Sequence, residues 1–414
     1  MDKSTTNDIQ GQIPQVRQSL DELAREGARR IIVEALELEV EEYIQKLRHL
    51  RDENGHALVV RNGKAQSRTV SLGAGSIDFQ APRVDDRRPA HRFTSKILPP
   101  YMRRSPRLNE ALPVLYLRGL STGDFEEAIP ALLGAEAAGF SASTITRLTR
   151  VWQEEQQGWC KRPLTGKEYV YVWADGVYFG VRLGEDKQLA CLVLVGALPD
   201  GTKEVIALQD GYRESTDSWL SLLRDLKRRG MPAPSLAIGD GALGFWAALR
   251  QVYAGTKEQR CWVHKNANVL DKLPKRVQPR AKDMLHEIMY APDRQSATED
   301  IERFEQEFQA KYPKAVECLL KDQDELLTFF DFPAEHWIHL RTTNPIESTF
   351  STVKARTKRT KGAGSRKAGL AMAFKLLLGA EKHWRKLNAP HLVALVQAGA
   401  TFSDGQRQPS LKVA

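Results

Sequence analysis

Cysteine is scarce in this chain: Cys160, Cys191, Cys261 and Cys318 are too few and too scattered in 414 residues for a disulfide framework. Long apolar runs are scarce as well. The most apolar window, AGLAMAFKLLLGA, is short and broken by Lys375, too little to span a bilayer. The opening MDKSTTNDIQGQ lacks a basic stretch followed by an apolar one, so no secretory leader is expected. Internal repeats and low-complexity tracts are absent. These absences leave the expectation of a cytoplasmic protein with no membrane partner, and an apolar fraction of 42% suffices for sizeable cores.

Acids are in deficit, giving a formal net charge of +9. The excess is clustered. Residues 341–386 hold twelve Lys and Arg against Glu347 and Glu381, and residues 87–118 hold eight against Glu110. One-sided clusters of this kind are the footprint of a polyanion such as DNA.

The pattern along the chain changes several times. Residues 1–14 are polar and read as a disordered tail. Apolar spacing of three and four predicts a helix over 16–50, and alternation with Gly73 and Gly75 at a turn predicts a small β-hairpin module over 57–84. Residues 105–160 read as short helices resembling a helix-turn-helix, with Thr144, Thr146, Arg147 and Arg150 as candidates to face DNA.

From residue 165 the order becomes strand, strand, strand, helix, strand, helix, with the first three strands in an antiparallel meander. That order is the one of a ribonuclease H-like α/β core, in which the first and fourth strands are neighbours. Residues 265–340 are helical almost throughout and read as an all-helical insertion. The domains expected are therefore a tail (1–14), a helix plus β-hairpin module (15–104), a helix-turn-helix-like module (105–160), a core in two pieces (165–264 and 341–386), the insertion (265–340) and a C-terminal tail (387–414).

Three acids carry the chemistry. Asp175 ends the apolar run YVYVWAD, Asp240 ends SLAIGD, and Glu347 opens a helix in NPIES, with Asn344 as the expected cap and Pro345 in the first turn. Each is unremarkable alone, since Asp before Gly forms turns and a first-turn Glu complements the helix dipole. The topology brings them together, and three carboxylates suit Mg²⁺, with Mn²⁺ as substitute, for two-metal attack on a phosphodiester. Cys261 and His264 in RCWVHKN form half a zinc site with no matching pair, so no zinc is expected; active-site support is their alternative role. Lys354, Arg356, Lys358, Arg359, Lys361, Arg366 and Lys367 follow Glu347 as candidate DNA-backbone contacts, and Trp262 and Trp337 are candidates to stack on a flipped base.

With these residues in place, the chain resembles the Mutator-type transposases of bacterial insertion sequences. The resemblance rests on YVWADGVY, SLAIGDGALG, QRCWVHKNANVLDKLPK, FPAEHW and RTTNPIESTFSTVKARTK. Upstream, LVVRNGKAQSRTV, DFQAPRVDDRR, YLRGLSTGDFEEA and FSASTITRLTR extend it to about residues 15–390. It implies catalytic acids at Asp175, Asp240 and Glu347, a Cys-x-x-His signature at Cys261 and His264, and a helical insertion before the third acid. The chain departs at Gly176 and Gly241, where Ala is expected, and at Ser348, where Arg is commoner. The implied activity is metal-dependent cleavage and strand transfer of double-stranded DNA, at terminal inverted repeats and then target DNA, by a homodimer or larger assembly. A non-catalytic DNA-binding regulator and a structure-selective nuclease are the rival readings.

Overall fold

The computed structural model describes residues 8–120, 124–133, 142–182, 188–211, 215–241, 243–359 and 362–409. The chain forms two compact units, Met1–Leu148 and Thr149–Ala414.

The first unit opens with a long helix, α1 (Asp8–Lys46), which begins inside the stretch expected to be tail. Four strands follow: β1 (Val59–Lys64), β2 (Arg68–Leu72), β3 (Gly75–Phe79) and β4 (Pro82–Asp86). β2 and β3 form a hairpin, and β1 pairs antiparallel with β4 outside it, so the expected single hairpin is a nested pair. Leu36 of α1 packs with Val70, Ile77, Phe79 and Leu98, while Ala28, Ile32 and Val33 extend the contact at helical spacing. Next come α2 (Pro106–Arg118), α3 (Asp124–Leu133) and α4 (Ala142–Cys160), which runs across the division between units. Ser105 caps α2 by accepting from the Leu108 amide, and Pro106 occupies its first turn. The segments 121–123 and 134–141, which hold the turns of the expected helix-turn-helix, lie outside the described residues.

The second unit is built on β5 (Tyr171–Gly180), β6 (Gln188–Ala197), β7 (Lys203–Asp210), β8 (Leu236–Gly239) and β9 (Lys257–Arg260). Their order in the sheet is β7-β6-β5-β8-β9. β5, β6 and β7 are antiparallel; β8 lies parallel to β5, and β9 parallel to β8. Helices α5 (Thr216–Arg228) and α6 (Leu243–Val252) connect the parallel strands. They cover one face, where Val172, Ala174, Leu192, Leu194 and Ile206 meet Trp219, Leu223 and Phe245. The strands read as unbroken apolar runs because the other face is covered too.

On that second side a larger core is completed by helices from the rest of the chain. They are α7 (Trp262–Leu270), α8 (Gln278–Met289), α9 (Arg294–Phe308), α10 (Pro313–Leu320), α11 (Gln323–Leu326), α12 (Trp337–Leu340), α13 (Asn344–Arg359) and α14 (Arg366–Glu381). Of these, α13 and α14 lie on the sheet itself. Short 3-10 turns at Thr328–Asp331 and Ala334–His336 precede α12. Two contacts fix where α13 begins. The Trp173 indole on β5 donates to the His339 carbonyl at 3.0 Å, and the Trp262 amide donates to the Arg341 carbonyl at 2.9 Å. After α13, Gly362 adopts φ +97°, and a Cβ there would lie 2.8 Å from the Gly180 carbonyl. The Ala363 amide then bonds that carbonyl at 2.9 Å, closing the loop onto the end of β5.

The expected C-terminal tail is folded instead. Helix α15 (Pro390–Gln397) and the small hairpin β10 (Phe402–Ser403) and β11 (Gln406–Arg407) return to the core. Leu387, Val393, Val396 and Phe402 are buried there, and the Gly405 amide bonds the Phe330 carbonyl at 3.2 Å. Leu387→Ala is therefore expected to cost about 2–4 kcal/mol, read as a lower urea midpoint of the second unit. An unchanged midpoint is what a loose tail would give.

Candidate active site

Side-chain parity on β5 decides where the first acid points. Val172 and Ala174 face α5 and α6, whereas Tyr171, Trp173 and Val177 belong to the opposite core together with Ile346, Phe350 and Val353 of α13. Asp175 shares that second face, beneath the helix that carries Glu347. The register Ala174↔Gly239 puts Asp175 and Asp240 each one residue beyond the last β5–β8 pair, on strands about 4.8 Å apart. Contrary to expectation, Asp175 does not end its strand, since β5 continues to Gly180 paired with β6. Glu347 lies in the first turn of α13, which packs on β5. Asp175 is 8% exposed, and Asp240 and Glu347 are half-buried.

The carboxylates feel one another. Burial, then the charge of Asp240, then that of Glu347, raise the Asp175 carboxyl to about 7, against the Gly176 amide bonding its Oδ1 at 2.7 Å and the charge of His264. His264 adjoins them, with Nδ1 3.7 Å from Glu347 Oε1 and 3.3 Å from Cys261 Sγ. Its hydrogen bond to Cys261, opposed by burial and supported by Glu347 and Asp175, raises it to about 9, so it is cationic at neutral pH. Burial alone would raise the Cys261 thiol, but hydrogen bonds from His264 and Thr343 outweigh it and bring it below its ordinary value.

Two residues that sequence reasoning passed over hold these groups. Thr343, rather than Asn344, precedes the first turn of α13, since its carbonyl accepts from the Glu347 amide at 3.0 Å. Its hydroxyl sits 3.3 Å from Cys261 Sγ and hydrogen-bonds Glu347 Oε1. The Thr-Thr-Asn-Pro run announces a helix start but offers three cap-competent residues, so the spacing alone does not choose among them. Arg260 is the second. Gly241, directly after Asp240, has φ +86°, and a Cβ there would collide with the Arg260 guanidinium at 0.6 Å. Arg260 and the buried Lys265 both reach Asp322 Oδ2, at 3.3 and 2.7 Å. Glycine at 241 in place of the expected Ala suits the positive φ, and the Arg260 guanidinium occupies the space a Cβ would take.

The donor set fits a hard divalent cation. Three carboxylates offer oxygen, and the proton that burial and the neighbouring acids favour on Asp175 is what a cation would displace. Ligand atoms of Cys261, His264 and Glu347 also lie within 4.8 Å of one another. In that group His264 Nδ1 faces Cys261 Sγ at hydrogen-bond distance, and the Thr343 amide donates to the same sulfur at 3.4 Å, so the thiol is engaged by protein donors.

The basic candidates divide. Lys354, Lys358 and Arg359 are exposed on α13, and Lys367 is exposed on α14. Arg356 is not a surface contact: it is 4% exposed, on the core stripe of Ile346, Phe350 and Val353. Arg366 is held by Asp210, with Nε to Oδ2 at 2.9 Å, and by the Gln188 carbonyl at 3.0 Å. Lys361 and the Thr144 side chain lie outside the described residues, while Thr146, Arg147 and Arg150 are exposed on α4. Trp262 is fully buried, its indole donating to the Leu326 carbonyl at 2.9 Å. Trp337 packs edge-on against Phe329 and Phe330, so both tryptophans are core residues rather than stacking platforms.

The Mutator family transposase model matches residues 1–386, and the chain belongs to that family. It is 58% identical over 299 residues to the transposase of insertion sequence element IS6120 of Mycolicibacterium smegmatis, covering 72% of this chain and 92% of that one. It is 49% identical over 288 residues to the transposase of IST2 of Acidithiobacillus ferrooxidans, covering 68% and 95%. Against the transposase of ISRM5 of Rhizobium meliloti, 27% identity extends over 368 residues, covering 88% and 89%. No helix among the described residues is long and apolar enough to cross a membrane.

A pH dependence follows from Asp175. Its folded value lies above the unfolded one, so the folded chain binds the extra proton; that contribution is full below pH 3.8 and is lost as pH rises through about 7. In EDTA, wild type is expected to lose more stability between pH 5 and 8 (bounds about either side of that value) than Asp175→Asn does. Equal slopes in urea melts would mean that Asp175 does not carry the proton.

Proposed function

We propose that this chain is a DDE transposase that cuts and joins double-stranded DNA, on a ribonuclease H-like core, to move its own insertion sequence. The observation that carries the reading is that Asp175 of β5 lies just beyond the last β5–β8 pair, Asp240 follows β8 directly, Glu347 stands in the first turn of α13, and the charges of Asp240 and Glu347 both act on Asp175. The antiparallel β5–β6–β7 with parallel β8 and β9 supports the core assignment. Asp175, Asp240 and Glu347 would hold Mg²⁺, or Mn²⁺ in its place. Such ions supply activation of water or a 3′-OH for attack on phosphorus and stabilisation of the leaving oxygen.

The protein's own groups do the rest. The β5–β8 pairing fixes two carboxylates at one spacing, Thr343 orients Glu347, and Arg260 against Gly241 holds the turn after Asp240. Cationic His264 stands beside the acids, where it can meet a phosphate oxygen. Exposed Lys354, Lys358, Arg359 and Lys367 would contact the backbone of terminal inverted repeats and target DNA.

Joining two ends requires more than one copy, and α1 supports a homodimer. Leu20, Ile31 and Leu38 are exposed along one stripe of α1. An antiparallel second copy sets Leu20 against Leu38 and Ile31 against Gly27, where a Cβ would meet nothing.

Two outcomes test this reading. In an integration assay with an intact minimal element, Asp240→Asn and Glu347→Gln should each lose at least about a hundredfold of activity while still binding DNA. Wild-type integration by either variant would remove the catalytic assignment. Ile31→Asp should lower the molar mass measured by light scattering, whereas an unchanged mass would put the dimer contact elsewhere.

A further inference from the structure

A cavity of about 590 Å³ opens among α7, α8 and the segment leading into α13. Its polar lining is Asn266, Lys282, His286, Tyr290, Arg341, Thr342 and Asn344, and its remaining walls are apolar. Asn266 is two residues from His264 and Asn344 three from Glu347, so the cavity borders the acid site without including any acid.

Arg341 is the unusual member. It is 8% exposed, and its guanidinium carbon lies 4.7 Å from the Phe329 ring centre, 5.0 Å from Tyr290 and 5.3 Å from Trp337. Its Nε is buried with no hydrogen-bond partner, and so is Asn266 Oδ1. Three rings offset part of the cost of burying the cation. An anion would offset the remainder, because a buried charge is stable only when paired. The cavity therefore presents an unanswered cation, an unanswered amide acceptor and an aromatic ring, Tyr290, that is 55% exposed.

A nucleotide supplies all three complements: a phosphate, base N–H donors and a flat face. A paired base cannot enter a cavity without leaving its stack. Asp283 and Glu287 line an adjoining depression that shares His286 and Tyr290, which disfavours phosphate on that side and directs it toward Arg341 and Lys282. We propose that this cavity binds one unpaired nucleotide of the DNA strand being cut, with its phosphate at Arg341 and Lys282, its base on Tyr290, and Asn266 Oδ1 accepting from the base edge. The inference rests on the DNA-transposase reading and adds a strand-positioning subsite to it.

The test is photo-crosslinking of the full chain, in EDTA, to a short single-stranded oligothymidylate in which one thymine is replaced by iodouracil, with the adduct mapped by mass spectrometry. The expected adduct is on Tyr290, with far less from the matching duplex. Lys282→Ala and Tyr290→Ala, both at exposed positions and checked for folding by circular dichroism, should weaken binding at least about fivefold, the scale of one lost base stack or phosphate contact. Asp240→Asn should crosslink as wild type does. Adducts found only outside the cavity, equal adducts from duplex, or unchanged affinity in both cavity variants would overturn the proposal. If Asp240→Asn abolishes integration while Tyr290 gives no adduct, the cavity assignment fails and the acid site stands; the reverse pattern spares the cavity.

Discussion

Asp175 is buried beside the charges of Asp240 and Glu347, and the second unit fixes the elements that carry all three acids. The β5–β8 ladder sets two of them side by side, and α13 is clamped over β5 by Ile346, Phe350 and Val353. Burial of Asp175, with the charges of Asp240 and Glu347 added, raises its carboxyl to about 7. A divalent cation bound among them would offset the same charges.

The supporting contacts come from far along the chain. Trp173 on the first strand reaches the His339 carbonyl, and Trp262 after the last strand reaches the Arg341 carbonyl. Both fix the lead-in to α13, and hence the position of Glu347. The helices from α7 to α12 carry these anchors. They also build the cavity that borders the acids. The insertion thus positions the third acid and shapes the ground beside it.

Much of this was legible in the sequence, for physical reasons. YVYVWAD and SLAIGD are apolar up to their acids because both faces of the sheet are covered. Asp240 does follow the end of β8, but β5 runs on past Asp175 to Gly180, paired with β6, because β6 outlasts β8. Pro345 marked the start of α13 to within two residues. What escaped depends on distant partners. The neutralisation of Arg366 by Asp210 spans 156 residues, and the guanidinium that fills the space beside Gly241 comes from Arg260 at the end of β9. Arg356 looked like one cation in a basic run; its burial follows only once Ile346, Phe350 and Val353 define the buried stripe. The closing segment was read as tail because α15 and its hairpin are short, although Val393 and Val396 already show helical spacing.

The most direct measurement is a titration of the full chain with Mn²⁺, counted by the electron paramagnetic resonance signal of the free ion. The account predicts saturable binding in wild type that is weakened by each of Asp175→Asn, Asp240→Asn and Glu347→Gln, and retained in Cys261→Ser. Binding that survives all three acid substitutions, or that disappears with Cys261→Ser alone, would contradict it.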